Sequence, residues 1–166
     1  TKSMNNKIVI AVLIALGIFG LMWWGRSSQT SPPDLSRSST SALTAAETFY
    51  DFGSISMKNG TVEKIFEVTN PTDRDVTIES VTTSCMCTNA YIVNGTSRRG
   101  PFGMPGHGTV PKANEVIKAG ETRSIAVVYD PAAHGPAGIG PVDRFVYLAD
   151  KDGATLQLEI KANVTP

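Results

Sequence analysis

From Phe49 onward the chain is cut into short runs in which polar and apolar residues alternate, with a turn signal after nearly every run. Alternation suits an extended chain, whose successive side chains point to opposite faces, so that one face is buried and the other wetted. Phe49–Ile55 is followed by Lys58-Asn59-Gly60, and Val62–Thr69 by Asn70-Pro71-Thr72-Asp73. Val76–Val81, Thr122–Tyr129 (stopped by Asp130-Pro131), Arg144–Leu148 and Thr155–Val164 continue the series, with Asp150-Lys151-Asp152-Gly153 reading as a hairpin turn between the last two. No helical period appears in this part of the chain. The pattern predicts an all-β fold, an antiparallel immunoglobulin-like β-sandwich.

The N-terminal part obeys a different rule. Ile8–Trp24 is apolar without interruption, preceded by Lys2 and Lys7 and ending in Trp23 and Trp24. About 17–25 such residues are needed to span a bilayer as a helix, and indole rings favour the headgroup region. The basic residues on the short N-terminal side predict that this end stays in the cytoplasm, although Arg26 and Arg37 weaken the asymmetry. A cleaved signal peptide would have a shorter apolar region ending in a small-x-small site; two tryptophans favour an uncleaved signal anchor. Residues 1–25 are therefore read as a single transmembrane helix and residues 26–47, rich in Ser, Thr, Pro and Ala, as a flexible linker. Residues 48–166 are read as the folded domain. Either reading of the leader exports it, so the domain is expected in the periplasm or outside the cell, held to the membrane by the helix.

Fifteen basic and fifteen acidic residues leave a net charge of zero, and no basic stripe is present. Nucleic acid is therefore not an expected partner. A Gly-x-Ser-x-Gly elbow, paired catalytic carboxylates and a phosphate loop are all missing from the sequence, which argues against an enzyme.

The chemistry concentrates around Cys85-Met86-Cys87, which holds the only two cysteines. Met104 and His107 follow in the glycine-rich run Gly100–Gly108, inside a stretch from about 88 to 119 that reads as a long constrained loop. In a strand, residues i and i+2 share a face, with Cα atoms roughly 6.5–7 Å apart, so Cys85 and Cys87 would project together. A disulfide between them needs a kink at Met86, whereas a soft ion fits between the sulfurs with little distortion. Thiolate and thioether select Cu(I), and imidazole accepts copper or zinc. The candidate metal ligands are Cys85, Cys87, Met104 and His107, with Met86 and His134 in reserve. A local disulfide, a pair of small buried side chains, and an ordinary exposed His107 are the competing readings.

Several of these segments together resemble a bacterial exported family of unknown function. Phe49-Tyr-Asp-Phe-Gly-Ser-Ile55 is similar to its Phe-Asp-Phe-Gly-x-Ile opening, and Phe66-Glu-Val-Thr-Asn70 to its Phe-x-Phe-x-Asn strand. Val81-Thr-Thr-Ser-Cys-Met-Cys-Thr88 resembles its Thr-Ser-Cys-x-Cys-Thr signature. Ile117-Lys-Ala-Gly-Glu121 and Val128-Tyr-Asp-Pro131 resemble two later elements. The resemblance runs over about residues 48–164 and implies an Ig-like, PapD-like sandwich related to Hydin and major-sperm-protein domains. It implies no settled activity, since fold does not fix function. Met86 in place of the usual Gly, and the run Gly100–Gly108, depart from the family pattern.

Three functions follow as expectations. The domain binds or delivers copper through the cysteine loop; or it is a non-catalytic adaptor in a membrane-bound assembly, using a sheet edge or the long loop; or it is a thiol redox protein that cycles Cys85 and Cys87.

Overall fold

The structure is a computed structural model, and it describes residues 41–166. The apolar run and most of the linker lie outside the described residues; among those described, no helix is long and apolar enough to cross a membrane. In chain order the strands are β1 (Thr44–Ala45), β2 (Phe49–Ser56), β3 (Val62–Thr69), β4 (Val76–Thr83) and β5 (Thr88–Asn94). Then come β6 (Ser97–Phe102), β7 (Glu115–Ile117), β8 (Thr122–Tyr129), β9 (Gly140–Asp150) and β10 (Thr155–Thr165). One sheet runs β1-β3-β8-β5-β6 and the other β2-β10-β9-β4-β7. All-β, two-sheet architecture is as the alternation predicts.

Three expectations are corrected. The sandwich is not wholly antiparallel, because β2 pairs in parallel with β10 while every other ladder is antiparallel. The parallel pair follows from the chain changing sheets early. β1 joins β3 in one sheet, and a few residues later β2 lies along the edge of the other. Secondly, order begins before Thr48: Leu43 is 2% exposed and belongs to the core. Thirdly, the stretch from 88 to 119 is not one loop. β5 fills a central position between β8 and β6, and β7 closes the far edge of the other sheet.

The core is the product of the alternation. Phe66 and Val68 from β3, Ala90 and Ile92 from β5, and Ile125 and Val127 from β8 face Val146 and Leu148 from β9 and Leu158 and Ile160 from β10. Of the four buried polar or charged residues among those described, Asn70 and Asp150 staple turns away from the cysteines. Asn70 donates from Nδ2 to the carbonyls of Arg74 and Ile117, and its Oδ1 accepts from the N–H and hydroxyl of Thr72. Asp150 Oδ1 accepts from the N–H groups of Asp152 and Ala154, closing the β9–β10 hairpin. Each satisfies groups that would otherwise cost free energy to bury.

Candidate functional site: a cysteine turn facing His134 and Arg144

The site is built where the chain passes from β4 in one sheet to β5 in the other. Cys85, Met86 and Cys87 are not extended here. The Thr88 N–H donates to the Cys85 carbonyl at 3.1 Å, an i to i+3 bond that closes a β-turn over Met86. This is the kink that a strand would have lacked. It brings the two sulfurs to 2.6 Å, well inside a van der Waals contact and longer than the roughly 2.05 Å of a disulfide bond. Both cysteines are free.

The flanking threonines hold this turn. The Thr83 hydroxyl lies 3.0 Å from the Cys85 carbonyl and 2.9 Å from the Thr88 carbonyl, so one proton is shared across the mouth of the loop. Thr88 Oγ1 sits 3.7 Å from Cys87 Sγ. Ser84 pins the same loop to β9: its N–H donates to the Phe145 carbonyl and its hydroxyl accepts from the Phe145 N–H, each at 3.0 Å. Thr83, Ser84 and Thr88 thus serve the shape of the loop.

Two further elements meet the turn. The Asp130 N–H donates to the Cys87 carbonyl at 2.9 Å, extending the β5–β8 ladder by one bond and anchoring the loop after β8. Asp130 Oδ1 accepts from the Ala132 N–H, which curls that loop so that His134 returns over the cysteines. His134 Nε2 lies 3.1 Å from Cys85 Sγ. From β9, Arg144 Nε donates to Cys87 Sγ at 3.2 Å. Cys85 Sγ, Cys87 Sγ and an imidazole nitrogen of His134 all lie within 4.8 Å of one another, and the three residues can hold a metal ion.

The two thiols are electrostatically unequal. Burial pushes Cys85 up, but hydrogen bonds from the Cys87 side chain and backbone and from His134, with the charge of Arg144, outweigh it and lower it to about 7. Cys87 is only 1% exposed, and its thiol is pushed up by burial and by donating its proton to Cys85, against the pull of Arg144. Burial, with the hydrogen bond to Cys87 acting the opposite way and prevailing, leaves Arg144 more firmly protonated than usual.

The sequence therefore locates the sulfurs and puts His134 only in reserve. His107 is exposed and lies outside the group of three; its N–H bonds the Met104 carbonyl in a local turn. Met104 is half-buried, next to Gly103, whose carbonyl accepts from the Thr83 N–H. Met86 is 49% exposed at the tip of the turn. Arg144 is missed by the sequence reading. It stands there as an ordinary alternating position of β9, and only the sheet-to-sheet crossing brings it to Cys87.

Comparison with known proteins bears on the fold and the family. Residues 43–101, from β1 through most of β6 and including both cysteines, match the family model described as a protein of unknown function, DUF1573. No curated protein matches the chain. A protein of unknown function from Porphyromonas gingivalis W83 superposes with a TM-score of 0.54 at 17% identity, covering 80% of this chain and 51% of that one. The chain thus spans about half the length of that relative, and at this identity the likeness is one of fold. The secreted serine protease VesC from Vibrio cholerae matches with a TM-score of 0.46 at 12% identity, over 75% of this chain and 24% of that one. The ASH / PapD-like domain of human CEP192 gives a TM-score of 0.44 at 13% identity, over 83% and 94% of the respective chains. Residues 43–101, the stretch that carries the cysteine turn, are thus similar to the DUF1573 family, whose function is unknown.

Proposed function

We propose that the domain holds a soft metal ion, Cu(I), between Cys85, Cys87 and His134, and hands it to a partner on the outer side of the membrane to which residues 8–24 tether it. One observation carries this reading: two sulfurs and an imidazole nitrogen converge within 4.8 Å from two separate loops. The donor set is chemically apt, since thiolates select Cu(I) and imidazole accepts copper. The charge balance is apt as well. Two thiolates and one Cu(I) carry a net negative charge, and the Arg144 guanidinium beside Cys87 offsets it. Met86, exposed at the tip of the turn, is a further soft donor on the side from which an ion would arrive or leave.

The test is a titration of the reduced, metal-free domain with Cu(I) against a competing chelator. One equivalent bound more tightly than micromolar, lost when Cys85→Ser and Cys87→Ser are combined, is the expected result. Weaker binding, or binding indifferent to the double substitution, ends the reading.

A second reading, the adaptor, is favoured by β6. This strand forms one edge of its sheet, and Ser97–Pro101 are exposed along it. An exposed edge can accept a partner strand through main-chain hydrogen bonds. Co-purification from gently solubilised membranes tests it, and recovery of the chain alone counts against it.

A further inference from the structure

We propose that Cys85 and Cys87 also form a thiol–disulfide exchange pair with fixed roles, Cys85 attacking an incoming disulfide and Cys87 resolving the mixed disulfide. This goes beyond metal holding and requires no ion.

Four features of the turn point to it. The sulfurs stand 2.6 Å apart, so they are already in contact and need to close by only about 0.5 Å to reach the length of a disulfide bond. Their accessibility is graded: Cys85 is part-exposed whereas Cys87 is 1% exposed, so a bulky disulfide meets Cys85 first. Their partners differ in kind. His134 Nε2 lies 3.1 Å from the attacking sulfur, and the Arg144 guanidinium lies 3.2 Å from the resolving one, where it stabilises a thiolate. Finally, a bridge between residues i and i+2 closes a minimal loop and removes little freedom from the unfolded chain. Such a bond stabilises the fold weakly, which suits a bond that is made and broken rather than a permanent staple.

The chemistry balances with a disulfide R–S–S–R as the oxidant. The Cys85 thiolate attacks one sulfur, the Cys85–S–S–R bond forms, and R–S⁻ leaves, taking up the proton that Cys85 released. Cys87 then loses its proton, and its thiolate attacks Cys85 Sγ. The Cys85–Cys87 bond forms as the second R–S⁻ departs and is protonated. Two protein thiols and one R–S–S–R become one protein disulfide and two R–SH; the protein is oxidised by two electrons and the reagent reduced by two. Run in reverse, the bridged protein oxidises a dithiol.

The experiment uses the reduced chain, freed of metal by chelation, and oxidised glutathione as the disulfide. Both thiols are expected to disappear together as the ratio of oxidised to reduced glutathione rises, leaving an intramolecular bridge. In Cys87→Ser a glutathione adduct is expected to accumulate on Cys85, whereas in Cys85→Ser the adduct on Cys87 forms more slowly by at least about ten-fold. Because a serine variant can misfold, a brief exposure of the wild-type chain to a substoichiometric reagent, quenched with acid and mapped by mass spectrometry, reads the first sulfur attacked directly. Thiols that stay free at every ratio, or a first adduct on Cys87, overturn the proposal. Failure of Cu(I) binding leaves these outcomes unchanged, so the two readings fail separately.

Discussion

Arg144, on β9 of one sheet, donates a hydrogen bond to the sulfur of Cys87, which heads β5 in the other sheet, at 3.2 Å. The contact ties a cation to a nearly inaccessible thiol at the end of the sandwich. Its effect spreads to Cys85, because the sulfurs touch and the guanidinium charge lowers Cys85 as well. Arg144→Met keeps much of the apolar stem and removes the charge and the donor. The pH midpoint of Cys85 alkylation by iodoacetamide is expected to move up from about 7, and the rate at neutral pH to fall several-fold. An unmoved midpoint would mean that the charge is spent elsewhere.

The same ionisation makes stability depend on pH. Cys85 titrates near 7 in the fold against 9.0 for an unperturbed cysteine thiol. Between those values the native sulfur is ionised while the unfolded one still binds its proton, so the unfolded state carries more protons and stability rises with pH. The contribution is fully present above about 9 and is lost as pH falls through about 7. Cys87, raised above 9.0, works in the opposite sense, but only above that value. Urea midpoints for the reduced protein should therefore climb between pH 7 and 9, and Cys85→Ser should flatten the climb.

Ligand identity is the sharpest distinction between His134 and His107. His134 alone joins the sulfurs. His134→Ala should weaken Cu(I) binding on the order of ten-fold or more, since it removes one donor of three, while His107→Ala should leave it unchanged. The reverse ranking would return the site to the glycine-rich run.

These residues also show what a sequence discloses. The strands whose alternation is clean, β3, β8 and β10, appear where the pattern puts them. β5 is easily passed over, because Thr88–Asn94 directly follows the cysteines and precedes a glycine-rich run that reads as loop. The signal is nonetheless present. Ala90 and Ile92 are buried while Tyr91 and Val93 are less so, and Asn94-Gly95 is a hairpin turn signal. The site divides in the same way. Cys85 and Cys87 are neighbours in the chain and so are legible together, but His134 and Arg144 reach them only through the pairing of β8 with β5 and the bonds from Ser84 to Phe145. Local composition contains no trace of such long-range pairings.

Thr83 tests whether the motif's hydroxyls serve shape or chemistry. Its side chain is bonded to two backbone carbonyls, those of Cys85 and Thr88. Thr83→Val preserves the shape and leaves those acceptors without their donor, at a cost of about 1–3 kcal/mol. The thermal midpoint should fall accordingly. Thr83→Ser, which keeps the hydroxyl, should recover most of the loss, whereas a valine variant as stable as wild type would show the clamp to be idle.

Gly100 sets the approach of β6 to β5. Its φ is +144°, and a Cβ placed there would lie 2.9 Å from both the Ala90 carbonyl oxygen and Tyr91 Cδ1. One of these neighbours is backbone in a central strand, so it cannot yield without disturbing the β5–β8 ladder beside the cysteine turn. The backbone strain alone is worth about 1–3 kcal/mol, and the clash adds to it. Gly100→Ala should therefore lower the thermal midpoint clearly more than Gly53→Ala, where φ is +66° and no atom lies within 4 Å of the added carbon. Because β5 begins at Thr88, directly after Cys87, the Gly100 variant should also loosen the turn and slow the joint loss of both thiols to oxidised glutathione. Equal midpoints for the two alanine variants would show that β6 can move away from β5 at no cost, and the hairpin would then be too soft to hold the turn in place.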